Sequence, residues 1–114
     1  MENNILTTVK LQLGMPEEYK YFDNQLLVCI NNVFLSLEQI GALPALEQLV
    51  DDSTTWDAIF STSEKFNTLI QNFVCMKTKM LFDPPTGSVK EAYESALKET
   101  EWRVTVYRDE LDGD

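Results

Sequence analysis

The stretch Ser61-Thr62-Ser63-Glu64-Lys65-Phe66-Asn67-Thr68-Leu69-Ile70-Gln71-Asn72-Phe73-Val74-Cys75-Met76-Lys77-Thr78-Lys79-Met80-Leu81-Phe82-Asp83-Pro84-Pro85 reads as one helix with both ends marked. Ser61 with Glu64 three positions on makes a capping box, in which side chains satisfy the amide donors a helix start leaves free. Asp83-Pro84-Pro85 ends it, because proline has no amide donor and pushes its predecessor out of the helical region. Between these marks Phe66, Leu69, Ile70, Phe73, Val74, Met80 and Leu81 share one broad face. So wide a face needs helices on more than one side, which makes this element the spine of a small helical domain.

Outward from the spine, the rest of the chain reads the same way. Asn3 or Asn4 caps a short first helix carrying Ile5, Leu6, Val9 and Leu13, and Gly14 stops it. Residues 15–22 form a connector. Asp23 caps a second helix whose face is Leu26, Leu27, Ile30, Val33, Phe34, Leu37 and Ile40, closed by Gly41. Residues 41–53 read as loop. Ser53 or Thr54 caps a short helix with Trp56, Ile59 and Phe60 that plugs one end of the core. After the prolines, Ser88 and Glu91 make a second capping box, opening a long last helix with Val89, Ala92, Tyr93, Ala96, Leu97, Thr100, Val104 and Tyr107 inward. The small residues at its start should let it lie close to the spine, and the sharp Asp-Pro-Pro-Thr-Gly reversal makes the two antiparallel. The expected fold is all-α: a bundle of four to five helices with a long C-terminal helix antiparallel to the central one. Residues 1–114 form one domain, with 109–114 expected as an acidic flexible tail.

Composition narrows the function. Hydrophobic residues make up 44% of the chain, which fits a folded domain. No apolar run approaches the roughly 20 residues of a membrane span, and the start lacks a signal-peptide pattern. A soluble chain that stays where it is made is the expectation. Nine basic against nineteen acidic residues leave a net charge of −10, so gripping nucleic acid through its phosphates is disfavoured. Acids of this density suit a wall that DNA slides past, a basic partner, or simply solubility.

Catalytic chemistry is missing. With no histidine there is no Ser-His-Asp or Cys-His arrangement, and the common zinc sets fall away. The four glycines stand apart, so there is no phosphate-cradling loop. Asp51-Asp52 lacks calcium-loop spacing. Glu17-Glu18 and Glu99 with Glu101 have no apolar surroundings in sequence to raise a pKa and read as solvated faces, which sets a carboxylate hydrolase aside. Cys29 and Cys75 read as small buried hydrophobes. No catalytic residue, cofactor or metal is expected.

Side chains on the wrong face are the informative ones. Opposite their inward stripes the helices carry Leu11 on the first, Val28 and Leu35 on the second, Cys75 and Phe82 on the third, and Trp102 and Val106 on the last. One stray apolar residue means little. A second seam on every helix means either burial on both sides within the chain or cover by neighbouring chains; the second is adopted, with Leu11, Val28, Leu35, Phe82, Trp102 and Val106 as interface candidates. Trp102 leads them, because tryptophan is enriched at binding hot spots. Lys77, on the apolar face of the spine, either brings its ammonium out at an edge or pairs with a buried acid or a neighbouring chain, and Arg103 is read likewise.

Leu81-Phe82-Asp83-Pro84-Pro85 followed by Glu101-Trp102-Arg103 resembles the second half of small head–tail connector (adaptor) proteins of long-tailed phages of Gram-positive bacteria. The front half agrees, with Leu6-Thr7-Thr8-Val9-Lys10-Leu11-Gln12-Leu13-Gly14, then Phe22-Asp23 and Ile30-Asn31-Asn32-Val33-Phe34, and Trp56 between the halves. The 41–53 segment and the acidic C-terminal end depart from the family pattern. The resemblance implies a non-enzymatic virion protein of the neck, assembled in the host cytoplasm. It implies a dodecameric ring docked on the portal protein, extending the DNA channel and offering its far rim to the next neck or stopper protein. DNA would pass without specific binding, and no membrane is involved. The competing reading is an acidic DNA mimic or inhibitor that occupies a basic site on another protein.

Overall fold

Phe66, Ile70, Phe73 and Val74 are buried along one side of a helix that touches every other helix of the chain. In the computed structural model, which describes residues 3–43, 49–59 and 63–112 (side chains to 110), the helices are α1 (Ile5–Gln12), α2 (Asp23–Gln39), α3 (Glu64–Phe82) and α4 (Gly87–Asp112), with one 3-10 turn at Trp56–Ala58. The described residues form no strand, only an isolated antiparallel bridge between Asn4 and Thr55. The all-α bundle expected from the sequence is what forms, with α3 as its spine. Tyr93 of α4 lies by Cys75, while Arg108 stands 4.7 Å over the Phe66 ring, so α4 runs back along α3. At about 1.5 Å per residue α4 is about 39 Å long, close to the 44 Å longest extent of the molecule.

The helix ends follow local chemistry, with several shifts from expectation. Asn4 caps α1, its Oδ1 accepting from the Thr7 amide at 2.9 Å. Gly14 and Gly41 take φ of +81° and +79°, where a side chain is strained, and end α1 and α2. Met15 and Ala42 amides then reach back to the Lys10 and Leu37 carbonyls, a Schellman closure at both places. α3 is capped by Ser63, whose hydroxyl accepts from the Phe66 amide at 3.2 Å; Ser61, the expected cap, lies outside the described residues. Ser88 lies inside α4, which begins at Gly87, so the second capping box does not form as drawn. Asp23 starts α2 without capping it, because its carboxylate faces Lys10 instead. Neither Ser53 nor Thr54 caps the short turn, which follows Thr55 and is a single 3-10 turn; Phe60 lies outside the described residues.

Long-range polar contacts tie the connectors to this frame. Trp56 is buried, and its indole Nε1 donates to the Thr8 hydroxyl at 3.0 Å. Asn31 holds Val50 in both directions, accepting its amide at 2.7 Å and donating to its carbonyl at 3.0 Å. Residues 41–43 and 49–53 are non-helical, as read, with Ala42, Leu43 and Val50 in the core. Arg108 donates from Nε to the Ala42 carbonyl at 2.9 Å. That anchor and buried Val104 hold the last half of α4 to the bundle, and the helix runs to Asp112; residues 113–114 of the acidic tail expected over 109–114 lie outside the described residues.

Along α4 the inward stripe is Tyr93, Leu97, Thr100, Val104 and Tyr107. Val89, Ala92 and Ala96 are exposed, so the small residues do not mediate the approach to α3. The three- and four-residue steps from Tyr93 onward already fill the seam, and the first turns of α4 project beyond it. Leu81 on α3 and Ile40 on α2 are likewise exposed at the ends of their stripes.

Candidate interaction surfaces

Each exposed apolar side chain is held outward by the packing of its opposite face. On α2, Leu26, Ile30, Val33, Phe34 and Leu37 are buried, which forces Val28 and Leu35 out; they are 63% and 47% exposed. Burial of Ile5, Leu6 and Val9 does the same to Leu11. On α4, buried Leu97 and Val104 leave Trp102 pointing away, 65% exposed although it is the largest side chain of its helix.

Trp102 is one wall of a groove of about 490 Å³ between the first half of α3 and the last half of α4. Leu69 and Val106 form its apolar floor, Tyr107 flanks it, and Lys65, Arg103 and Glu110 supply polar edges. Val106 is half-buried there. Arg103 forms a solvent-exposed pair with Glu99 at 2.6 Å. Lys77 is half-buried in a separate cleft between α3 and α4 that Glu94 and Glu101 also line.

Phe82 differs from the other candidates. It is half-buried, and its ring meets Phe22 edge-on at 5.3 Å, so its own chain covers one side. Cys75 is also half-buried, with Tyr93 as a neighbour; burial raises the thiol to about 11 and also raises the Tyr93 phenol. Of the six sequence candidates, Leu11, Val28, Leu35 and Trp102 are exposed, Val106 lines the groove beside Trp102, and Phe82 is partly sealed.

Sequence reasoning missed one exposed cluster. Tyr19 and Tyr21, 45% and 78% exposed, pack with Phe22 in the connector between α1 and α2, with Tyr21 edge-on to Phe22 at 4.8 Å. Three aromatics within residues 19–22, in a stretch otherwise read as a mere connector, were the available signal.

Among the described residues no group of three His, Cys, Asp or Glu side chains is placed to hold a metal ion. Cys29 and Cys75 are free thiols. No described helix is long and apolar enough to cross a membrane. No curated protein and no solved structure matches the chain. The sequence model of one family, described as phage connector protein, matches residues 5–111, from the first residue of α1 almost to the end of α4, and the chain belongs to that family.

Proposed function

We propose that the chain is one subunit of a ring that docks on the portal, continues its DNA channel towards the tail, and presents its far rim to the next neck component. Membership of the phage connector family supports a structural role between head and tail. The observation that carries the ring is the set of large apolar side chains left uncovered on the outer faces of α1, α2 and α4, with Trp102 foremost. A ring gives every subunit two neighbours, and so two apolar faces to cover.

The charge suits the same reading. A net charge of −10 repels a passing phosphate backbone, so DNA moves through without being gripped. The mechanism is passive: the subunits pack against the portal, prolong its bore and hold an opening. A DNA mimic would want an unbroken acidic strip. On α4, the most charged helix, Lys90, Lys98, Arg103 and Arg108 interrupt the acids, which favours the ring.

The test is assembly against salt, followed by mass photometry and negative-stain imaging with and without the cognate portal protein. Like-charged subunits repel, and screening acts over ~10 Å at 0.1 M salt, so ring formation should strengthen as salt rises. A chain that stays monomeric at all salt concentrations and never decorates the portal would refute the ring. Tight binding to a basic protein that weakens steeply with salt would favour the mimic.

A further inference from the structure

We infer that the ring closes by a head-to-tail contact in which the outward face of α2 from one copy fills the Trp102 groove of the next; this rests on the ring reading above. The exposed side chains of α2 are Asn24, Gln25, Val28, Asn32, Leu35 and Gln39. None is charged. In a chain with 25% charged residues and a net charge of −10, a 17-residue helix whose two acids, Asp23 and Glu38, are both partly buried and whose fully exposed residues are all uncharged stands apart. By contrast α4 exposes Lys90, Glu91, Glu94, Lys98, Glu99 and Glu101 within little more than three turns. Loss of charge at the centre is the compositional mark of a protein interface, whereas overall apolarity is not.

That neutrality selects the occupant. A basic partner would be drawn to acids, and the fully exposed residues of α2 offer it none. A second copy of this chain, itself strongly acidic, can approach closely only where the surface carries no net charge of its sign. The α2 face meets that condition from Asn24 to Leu35, between the two partly buried acids Asp23 and Glu38.

The groove is the complementary surface. None of the residues lining the groove comes from α2, and Leu69 and Arg103 continue from it into the adjoining cleft that Gln12 and Leu13 of α1 line, so the groove and the outward face of α2 are separate surfaces. The two apolar faces are therefore distinct surfaces of one subunit. Contacts between unlike faces repeat from copy to copy and form a ring when the rotation between copies closes, whereas a contact of one face with itself stops at a dimer. The lengths also agree. At about 1.5 Å per residue, Val28 and Leu35 are about 10.5 Å apart along α2, and the groove wall from Trp102 to Glu110 runs about 12 Å along α4. Val28 and Leu35 would sit on Leu69, Trp102 and Val106, while the flanking amides of Asn24, Asn32 and Gln39 can accept from Lys65 and Arg103 or donate to Glu110.

The test places a charge on each side. Asn32→Glu adds a carboxylate to the exposed neutral face, and Ser95→Glu adds one to an exposed position of α4 outside both faces. Asn32→Glu should raise the concentration for half-assembly at least tenfold at fixed salt, with an unchanged melting temperature, and Ser95→Glu should leave assembly within twofold of the parent. In a Cys29→Ser, Cys75→Ser background, mixing Leu35→Cys protein with Trp102→Cys protein under mild oxidation should give mixed disulfide dimers. Rings that form normally with Asn32→Glu, or that yield Leu35→Cys homodimers and no mixed dimers, overturn this pairing and leave the ring standing. Failure of the parent chain to assemble alone or on the portal overturns both.

Discussion

The Lys10 ammonium lies 2.8 Å from the Asp23 carboxylate, and the two join the inner end of α1 to the first turn of α2. Lys10 also donates to the Glu17 carbonyl at 2.9 Å, so it closes the whole 15–22 connector. Its side chain is 2% exposed and that of Asp23 16%, which makes the pair asymmetric. Removing the acid strands an ammonium that cannot reach water, whereas removing the lysine leaves a carboxylate whose Oδ1 is buried but whose side chain is 16% exposed and can turn towards water. Asp23→Ala should therefore cost about 3 kcal/mol and Lys10→Met only about 1 kcal/mol. Urea unfolding followed by circular dichroism measures both, and equal losses would contradict the asymmetry.

Trp56 and Thr8 form the second buried polar link, across 48 positions of sequence. Thr8→Val leaves the indole N–H buried without an acceptor and should cost roughly 1–3 kcal/mol. Trp56→Phe in the same background removes the stranded donor, so the double variant should lose less than the sum of the singles. A double-mutant cycle in chemical denaturation reads that coupling, and strict additivity would mean the bond contributes nothing.

Thr78 is fully buried on α3, and its hydroxyl has no hydrogen-bond partner. Valine has the same shape without the hydroxyl. Thr78→Val should stabilise the fold by about 1 kcal/mol, read as a higher urea midpoint with an unchanged slope.

Cys75 links stability to alkaline pH. Burial lifts its thiol to about 11 from the ordinary 9.0, so between those values the unfolded chain is deprotonated while the folded one keeps its proton. The stabilisation is complete below pH 9 and is lost as pH rises towards 11, a change of roughly 2 kcal/mol. Cys75→Ala should flatten that part of the stability–pH curve. Tyr93, raised by its own burial, keeps a residual slope in the variant. Thermal melts from pH 8 to 11 make the comparison.

Trp102→Ser separates surface from core. The side chain is 65% exposed, so the variant should melt within about 0.5 kcal/mol of the parent. Assembly on the portal should fall by tenfold or more, measured by co-sedimentation. A variant that assembles normally removes Trp102 as an anchor.

Much of this was readable beforehand for definite reasons. The inward stripes of α2 and α3 came from three- and four-residue spacing, and the stops at Gly14, Gly41 and Pro84 from backbone chemistry that acts within a few residues. Cap positions were less secure: Ser61, Ser63, Ser88 and Asp23 all carry the right oxygen, and only the path of the chain decides which is used. Among the interface candidates, Phe82 looked no different from Val28 on a helical wheel. What separates them is Phe22, 60 positions away, whose ring closes over Phe82 and has no counterpart over Val28.

Read alone, the sequence determined the helices, their inward faces, the acidic balance and the absence of histidine chemistry, because these depend on neighbours within a turn or on composition alone. Only the tertiary structure decided that Lys10 meets Asp23, that Arg108 reaches Ala42 and Phe66, and that the fully exposed residues of α2 are uncharged while α3 and α4 enclose a separate groove beside Trp102. Whether a side chain is covered depends on which distant helix lies over it, and that is a property of the packed bundle.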